Sequence, residues 1–172
     1  MKKIVLIGMV CLLGMEVGIA QSGRIRKITE IPIYFPLPKK HFKRVSSGYG
    51  YRYHPKTHKK KFHHGLDMAA NKGVPIYAAA DGTVMESRYD KGYGHYIKIK
   101  HKGEVQTLYG HMSRRRVRSQ QKVRQGQIIG YVGSTGISTG PHLHFEIIKQ
   151  NKKIDPFRYW SIWIKNKSIV NN

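Results

Sequence analysis

Short runs in which apolar and polar residues alternate dominate the chain from about residue 46 onward. The clearest run is HYIKIKH, residues 95–101, and this period of two is typical of a β-strand with one buried face. Runs of this kind, separated by glycine-containing turns, predict a mainly antiparallel, all-β domain. The other predicted strands are Val74–Ala80, Thr83–Tyr89, Val105–Tyr109, Gln127–Val132 and the run that follows the loop Gly133–Pro141.

The turns between these runs predict how the strands are connected. Asp81-Gly82 is a dipeptide that favours a tight hairpin, so we expect Val74–Ala80 and Thr83–Tyr89 to pair with each other. Residues 90–94 are predicted to form the loop before the next strand. The turn pattern therefore agrees with an antiparallel sheet.

The residues on either side of this region differ from it in composition. Residues 21–45 contain three prolines within Ile31–Pro38, and proline disfavours both a helix and a central strand. This segment is predicted to be an extended lead-in that lies along a single domain spanning residues 46–157. Residues 158–172 form an aromatic and then polar tail, for which the sequence predicts no role.

The first 20 residues have the features of an export signal. Lys2 and Lys3 precede an apolar run, Ile4–Met15, and the small residues Gly18 and Ala20 stand where a signal peptidase inspects the chain. The apolar run is too short to span a bilayer comfortably. We therefore predict cleavage after Ala20, export to the periplasm or the cell exterior, and no stable membrane span afterwards.

The chain is strongly basic. It has 32 Lys and Arg residues against 9 Asp and Glu, a formal net charge of +23. Loss of residues 1–20 would remove Lys2, Lys3 and Glu16 and leave 30 basic and 8 acidic residues, a charge of +22. This surplus favours an anionic partner. Because an exported protein meets little nucleic acid, we expect anionic cell-wall or envelope polymers; a basic surface that serves only solubility is the alternative.

The strand GPHLHFEI, residues 140–147, combines a polar face with an apolar one. Side chains alternate between the two faces of a strand, so His142, His144 and Glu146 are expected to share one face. That face is either an ordinary solvated edge or part of a metal site, and the strand by itself does not decide between them.

The ten histidines have different surroundings along the chain. His41, His54 and His58 lie among lysine and proline residues and are predicted to be exposed. His95 and His101 bound the alternating strand and are predicted to be structural or solvent-facing. The candidates with glycine-flanked, strand-edge surroundings are His63, His111, His142 and His144, and Asp67 lies close to the first of them.

These candidates have the chemistry of an open zinc site. Cys11 is the only cysteine and lies within the predicted signal, so the processed chain would have to bind a metal through histidine and carboxylate side chains. Such donors suit Zn²⁺ in a catalytic site that has three protein ligands and a fourth position for water. A closed structural site would more often use cysteine.

The motifs taken together resemble the lysostaphin/LytM-type zinc metallopeptidases, which cleave peptide bridges of bacterial peptidoglycan. The resemblance runs from about Ser46 to Phe157 and implies a small, mainly antiparallel domain with a substrate groove. The motifs that carry it, in chain order, are SSGYGYRYHP, KFHHGLDMAANKGVPIYAAADGTV, GYGHYIKIKH, TLYGHMS, GQIIGYVGSTGISTGPHLHFEI and IDPFRYW.

The resemblance implies a role for each candidate residue. His63 and Asp67 match the H-x-x-x-D motif and His144 the second histidine of H-x-H, which are the zinc ligands of that family. His142 and His111 match its two catalytic histidines. All five residues are present.

Four further residues lie beside these motifs, and two interpretations of them stay open. Glu146 either orients the His144 ring or points outward into solvent. Tyr49, Arg52 and Tyr53 either line the substrate groove or pack within the domain.

Two adjacent histidines compete for the first ligand position. If residues 61–68 are extended, His63 and Asp67 are an even number of residues apart and share a face, whereas His64 points the other way. Gly65 would let the chain bend toward one ion. We therefore predict that His63 is the ligand and His64 is not.

These features predict an exported zinc endopeptidase that hydrolyses the peptide stems or bridges of peptidoglycan. One alternative is a non-catalytic wall-binding module that activates another hydrolase, and the intact five-residue set argues against it. Another is a basic polyanion-binding protein whose zinc is structural. The sequence leaves open whether the substrate has glycine bridges or directly linked stem peptides.

Overall fold

Antiparallel strands make up most of the computed structural model, which describes residues 19–21, 24–26, 28–53 and 58–162. Two short 3-10 turns, Ile28–Glu30 and Lys39–His41, precede most of the strands, and residues 156–162 are helical. The strands are β1 Ile19–Gln21, β2 Arg24–Arg26, β3 Arg44–Ser47, β4 Gly50–Tyr53, β5 Lys60–His63, β6 Leu66–Ala69, β7 Pro75–Tyr77, β8 Gly82–Asp90, β9 Gly94–Lys100, β10 Val105–Met112, β11 Arg114–Arg115, β12 Lys122–Val123, β13 Ile128–Tyr131, β14 His142–Lys149 and β15 Lys152–Ile154.

Some of the sequence predictions fall outside the described residues. The predicted export signal does so except for Ile19 and Ala20, as do His54 and the end of the tail from residue 163. Within the described ranges, the helical segment is neither long nor apolar enough to cross a membrane.

One eight-stranded sheet forms the main part of the fold. Its strand order is β12-β8-β9-β10-β14-β6-β3, and β15 pairs with β14 at one end. A three-stranded sheet has the order β11-β13-β7, and β4 and β5 form a separate two-stranded ribbon. Every paired strand is antiparallel to its neighbour, so the predicted fold class is confirmed.

The predicted hairpin at Asp81-Gly82 is wrong. Strand β7 pairs with β13 in the small sheet, whereas β8 pairs with β9 and β12 in the large one. Other contacts hold the turn: the Asp81 N–H donates to the Thr29 carbonyl at 2.6 Å, and Asp81 Oδ1 accepts from the Gln125 N–H at 2.7 Å. The dipeptide therefore carries the chain from one sheet to the other.

The segments on both sides of the predicted domain contribute to its core. Ile31 and Leu37 of the lead-in are each only 2% exposed. Trp160 stacks on Phe145 with ring centroids 5.5 Å apart, and its indole N–H donates to the Pro32 carbonyl at 3.0 Å. Ile31, Pro32 and Leu37 of the lead-in therefore pack on the domain, and the helical tail covers the apolar face of β14.

Strand β14 is a central strand with both faces covered. It lies between β10 and β6, and Leu143, Phe145 and Ile147 on its apolar face are fully buried. On the opposite face His144 is 6% exposed and Glu146 is 1% exposed. The polar face is therefore not a solvated edge, and the alternative of a polar site inside the fold is the one the structure supports.

Candidate active site

Three potential ligand atoms meet on the polar face of β14. Asp67 and His144 are direct partners across β6 and β14, and His144 Nδ1 lies 2.8 Å from Asp67 Oδ1. His63 Nε2 lies 3.1 Å from each of these two atoms. In a tetrahedral zinc site the ligand atoms are about 3.3 Å apart, given bonds of about 2.0 Å to nitrogen. The three atoms are thus spaced like one face of such a tetrahedron.

The far side of each histidine ring is held by an oxygen atom. His63 Nδ1 lies 2.7 Å from the Gly48 carbonyl, and His144 Nε2 lies 3.1 Å from Glu146 Oε1. Each oxygen can accept an N–H from its ring, so that the other nitrogen, which faces the cluster, can bind a metal ion in place of a proton. This is the usual way in which a protein fixes the tautomer of a metal-binding histidine.

The electrostatics of the cluster call for a cation. Burial would raise the pKa of Asp67, but hydrogen bonds with His144 and His63 outweigh it and hold that pKa well below its usual range. Two nitrogen lone pairs and a carboxylate oxygen within 3.1 Å of one another repel each other unless a proton or a metal ion lies between them. The donor set of two imidazoles and one carboxylate fits Zn²⁺.

The two adjacent histidines point in opposite directions. His63 ends β5 and is buried, whereas His64 is exposed and contacts the Phe62 ring with centroids 4.9 Å apart. A Cβ atom at Gly65 would lie only 2.5 Å from the Phe145 carbonyl oxygen, so glycine lets the bend approach β14. The predicted directions of the two side chains are confirmed; the ligand role of His63 stays a prediction.

Two more histidines face this cluster. The rings of His111 and His142 have centroids 4.7 Å apart, and His142 Nε2 lies 3.6 Å from Asp67 Oδ1. Their Nδ1–H groups donate to the carbonyls of Thr135, at 2.7 Å, and Gly140, at 2.8 Å. The lone pair of each Nε2 is therefore free in the cavity that both rings line. The structure thus brings all five predicted residues together.

Burial keeps His111 neutral. Burial, and to a smaller extent the neighbouring His142, lowers the pKa of His111 to about 4. At neutral pH its Nε2 is unprotonated and accepts hydrogen bonds or protons.

An irregularity in β10 aims His111 into the cavity. The register of β10 against β9 shifts between Tyr109 and Met112, and His111 has a φ of +59°. A bulge of this kind redirects a side chain, and a non-glycine residue with positive φ is strained. The His111 N–H donates to the Tyr93 carbonyl at 2.7 Å, which holds the backbone in this conformation.

Close packing behind His111 fixes the loop that supplies the Thr135 carbonyl. A Cβ atom at Gly94 would lie 2.2 Å from Thr135 Oγ1, and Gly94 has a φ of +65°. Only glycine therefore fits between this loop and the start of β9. The same hydroxyl accepts a hydrogen bond from the His95 N–H at 3.0 Å.

Glu146 lies inside the fold and anchors the His144 ring. Besides His144, its Oε1 accepts hydrogen bonds from the Tyr93 hydroxyl at 2.9 Å and from Lys153 Nζ at 3.1 Å. Burial would raise the pKa of Glu146, but His144 and Lys153 outweigh it and lower that pKa. The orienting interpretation of Glu146 is therefore the one the structure supports.

The sequence analysis did not predict Tyr93 and Lys153, the two other members of this network. Asp90 Oδ1 accepts from the backbone N–H groups of Gly92 and Tyr93 at 2.7 and 3.0 Å, which folds the turn that presents Tyr93. The glycines on both sides of Tyr93 were a usable signal for a specially placed residue. Lys153, in contrast, has no local signal.

Only one of the three residues considered for the groove wall lines the cavity. Arg52 Nη2 lies 3.4 Å from Asp67 Oδ2. The Tyr49 hydroxyl donates to the Lys153 carbonyl at 2.9 Å, and Tyr53 is 74% exposed on the other face of the β4–β5 ribbon. The cavity has a volume of about 190 Å³ and is lined by Arg52, His63, Asp67, Gly92, Tyr93, His111, Ile137, Ser138, Thr139, His142 and His144.

The other described histidines lie elsewhere. His41 and His58 are exposed, as predicted. His101 is 4% exposed, with Nδ1 at 2.8 Å from the Asp81 carbonyl and Nε2 at 2.7 Å from Thr107 Oγ1. It is therefore structural. His95 is half-buried.

Comparison with known proteins agrees with this geometry. Residues 61–156 match the model of peptidase family M23. Over 115 residues the chain is 44% identical to the DD-carboxypeptidase/endopeptidase Mpg of Neisseria meningitidis serogroup B, covering 67% of this chain and 26% of Mpg. The chain thus spans about a quarter of the length of the relatives that it matches.

Solved structures share the fold. A zinc-containing peptidase from Vibrio cholerae is 37% identical, with a TM-score of 0.65 over 70% of this chain and 37% of that one. The catalytic domain of lysostaphin from Staphylococcus simulans is 32% identical, with a TM-score of 0.62 over 70% of this chain and 92% of that one. The family matched covers more than half of the chain and includes the cluster described above. The chain therefore belongs to peptidase family M23, a family of metallopeptidases.

Proposed function

We propose that this protein is an exported zinc-dependent endopeptidase that hydrolyses peptide cross-links of bacterial peptidoglycan. One observation carries the proposal: three ligand atoms within 3.1 Å of one another lie beside two histidines whose free Nε2 atoms share their cavity. The name of Mpg, a DD-carboxypeptidase/endopeptidase, supports the kind of bond. The predicted export signal supports the location.

His63, Asp67 and His144 would hold the zinc ion through Nε2, Oδ1 and Nδ1. When bound, Zn²⁺ supplies a Lewis acid that polarises a carbonyl and lowers the pKa of water toward about 7. Gly48 and Glu146 keep the two imidazole lone pairs directed at this position, since each accepts the opposite N–H. The protein therefore contributes a preorganised donor set.

His111 and His142 would move the proton and stabilise the developing charge. Hydrolysis breaks the C–N bond of the peptide, and a proton from the attacking water must reach the leaving amine nitrogen. A neutral Nε2 accepts that proton, and the resulting N–H donates it to the amine or hydrogen bonds to the oxyanion. The carbonyls of Thr135 and Gly140 accept the Nδ1–H of each ring and so stabilise it when it is charged.

The surface charge would hold the enzyme on its substrate. A net charge of +22 after loss of residues 1–20 attracts the anionic polymers of a cell envelope at long range. Because screening shortens such forces to roughly 8 Å at physiological ionic strength, wall binding should weaken steeply as salt rises. Wall binding that does not change with salt concentration would show that the basic surface does not hold the enzyme on its substrate.

Digestion of purified peptidoglycan tests the proposal. The protein should contain close to one zinc ion per chain, release soluble fragments, stop after chelation and recover when zinc is returned. Mass spectrometry of fragments from walls with known cross-links identifies the bond. Full lysis by metal-free protein, or no lysis by zinc-loaded protein that binds walls, would contradict the proposal; the second result is the one expected of a non-catalytic activator.

A further inference from the structure

A second cleft is lined by His95, and Thr135 links this residue to His111 of the catalytic cavity. Thr135 contacts both residues, because its carbonyl accepts from His111 Nδ1 and its hydroxyl accepts from the His95 N–H. The cleft has a volume of about 350 Å³ and is lined by Ser87, His95, Ser113, Arg114, Arg115, Val117 and Arg118. Three of these seven residues are arginines and none is acidic.

The arginines are the donors that remain free in this cleft. The hydroxyls of Ser87 and Ser113 already donate to backbone carbonyls, at 2.6 and 3.3 Å. Among the described residues, the salt bridges of arginine involve other members of the chain, and the three arginines here have no carboxylate partner. Arg114 packs its guanidinium over the Tyr131 ring, 5.1 Å from the centroid, so Arg115 and Arg118 are the arginines left for a ligand.

A buried nitrogen in the same cleft has no partner in the described structure. Nδ1 of His95 is enclosed without a hydrogen bond. Because this atom is enclosed, a ligand in the cleft would act on the ring through its charge and not through a hydrogen bond to Nδ1. Burial, and then the charge of Arg115, lower the pKa of His95, so the ring gains most from a ligand that brings negative charge.

We propose that this cleft binds a phosphate group, as a phosphomonoester or phosphodiester, through Arg115 and Arg118. The planar fork of N–H groups on arginine matches the oxygen atoms of phosphate and binds them in pairs. The site goes beyond the proposed peptidase activity. It would hold a phosphate-bearing component of the envelope near the catalytic cavity, since Thr135 contacts both the His95 backbone and the His111 ring.

A different basic cleft provides the contrast and the control. It is lined by Lys100, Lys122 and Arg124 among others, but also by Glu30 and Asp81. The two carboxylates oppose an anion, and Lys presents a point charge rather than a fork. Both clefts have a positive lining, of +2 here and +3 in the arginine cleft; the chemistry of the linings predicts that they bind phosphate differently.

Binding of a labelled glycerol phosphate oligomer to the full chain tests the assignment. Substituting Arg115→Gln with Arg118→Gln spares the Arg114–Tyr131 contact and should weaken binding about 10-fold or more, since charge-assisted bidentate bonds are the strong ones. The control pair Lys100→Gln with Lys122→Gln removes the same charge and should weaken it less than about 3-fold. Equal losses in the two variants would overturn the site.

A second measurement uses the unmodified protein. Titration with glycerol phosphate, followed by ¹⁵N NMR of the histidine rings, should give a saturable shift of His95 Nδ1 that the oligomer competes for. An unchanged His95 signal at saturation would overturn the proposal. Neither measurement involves hydrolysis, so the phosphate site and the peptidase activity fail or stand separately.

Vesicles identify the source of the phosphate. Binding of the oligomer but not of phosphatidylglycerol vesicles would indicate a soluble polymer. Binding of the vesicles but not of the oligomer would indicate a lipid headgroup. In both cases the variant with Arg115→Gln and Arg118→Gln must lose the binding. No binding to oligomer, glycerol phosphate or vesicles would overturn the site.

Discussion

Glu146 Oε1 lies 3.1 Å from His144 Nε2, two residues earlier on the same strand. The carboxylate is 1% exposed and also accepts hydrogen bonds from Tyr93 and Lys153. Because this oxygen can accept an N–H from Nε2, Nδ1 faces Asp67 and His63 and can bind a metal ion there. A side chain that contacts neither substrate nor the proposed metal position thus determines which nitrogen of the ligand is free.

Glu146→Ala should weaken zinc binding about 10- to 100-fold, the range typical when the partner of a metal-binding histidine is removed. Glu146→Gln retains an acceptor oxygen, so its zinc affinity should fall less than that of Glu146→Ala. Competition with a chromogenic chelator measures both affinities. The matched control is Glu30→Gln, which removes a carboxylate that pairs with Lys102 in a different cleft. Unchanged zinc affinity in Glu146→Ala would mean that the ring needs no anchor.

His63→Ala should abolish zinc binding, whereas His64→Ala should keep the metal and reduce activity only modestly. The reason is that His63 is buried with Nε2 in the cluster, while His64 is exposed on the other side of the chain. Zinc content after dialysis separates the two variants. A His64→Ala protein without zinc, beside a His63→Ala protein that keeps it, would overturn the assignment.

His111→Ala should keep zinc but lose most turnover, by about 100-fold or more if His111 moves a proton. His144→Ala should lose both zinc and turnover, since Nδ1 of His144 is one of the three proposed ligand atoms. Zinc content and the rate of fragment release, measured on the same preparations, distinguish the roles. Loss of zinc from His111→Ala would show that His111 supports the metal.

The free energy of unfolding should fall as the pH decreases from about 6.5 to 4, in part through His101. Burial lowers the pKa of His101 to about 4, from 6.5, so in this window the unfolded chain binds a proton that the folded chain does not. If His101 alone follows this pKa difference, the free energy of unfolding falls by about 3 kcal/mol between pH 7 and pH 4. His101→Gln, which can keep a donor to Asp81, should flatten the curve relative to wild type in urea unfolding.

The control for this measurement is His41→Gln, because His41 is exposed. Its pH curve should parallel that of the wild type. If His101→Gln also parallels the wild type, His101 does not link protonation to stability.

Strand patterns and the family motifs predicted the all-β fold and the five residues that meet in the cavity. Strands β8, β9, β10 and β14 were predictable because alternation is a local property, fixed by the period of two in an extended chain. The same alternation gave the opposite directions of His63 and His64. The proposal of zinc rests on the donor types, since the only cysteine lies in the predicted signal.

The tertiary structure decided what depends on contacts between distant segments. A dipeptide such as Asp81-Gly82 specifies a turn but not the partner of the strands around it, and here Thr29 and Gln125 hold it between two sheets. The inward direction of Glu146 required β14 to be central and Lys153 to return alongside it. The lead-in and the helical tail contribute to the core because Pro32 and Trp160, far apart in sequence, meet over Phe145. Local pattern determines which face a side chain occupies; only the packing of strands determines what that face meets.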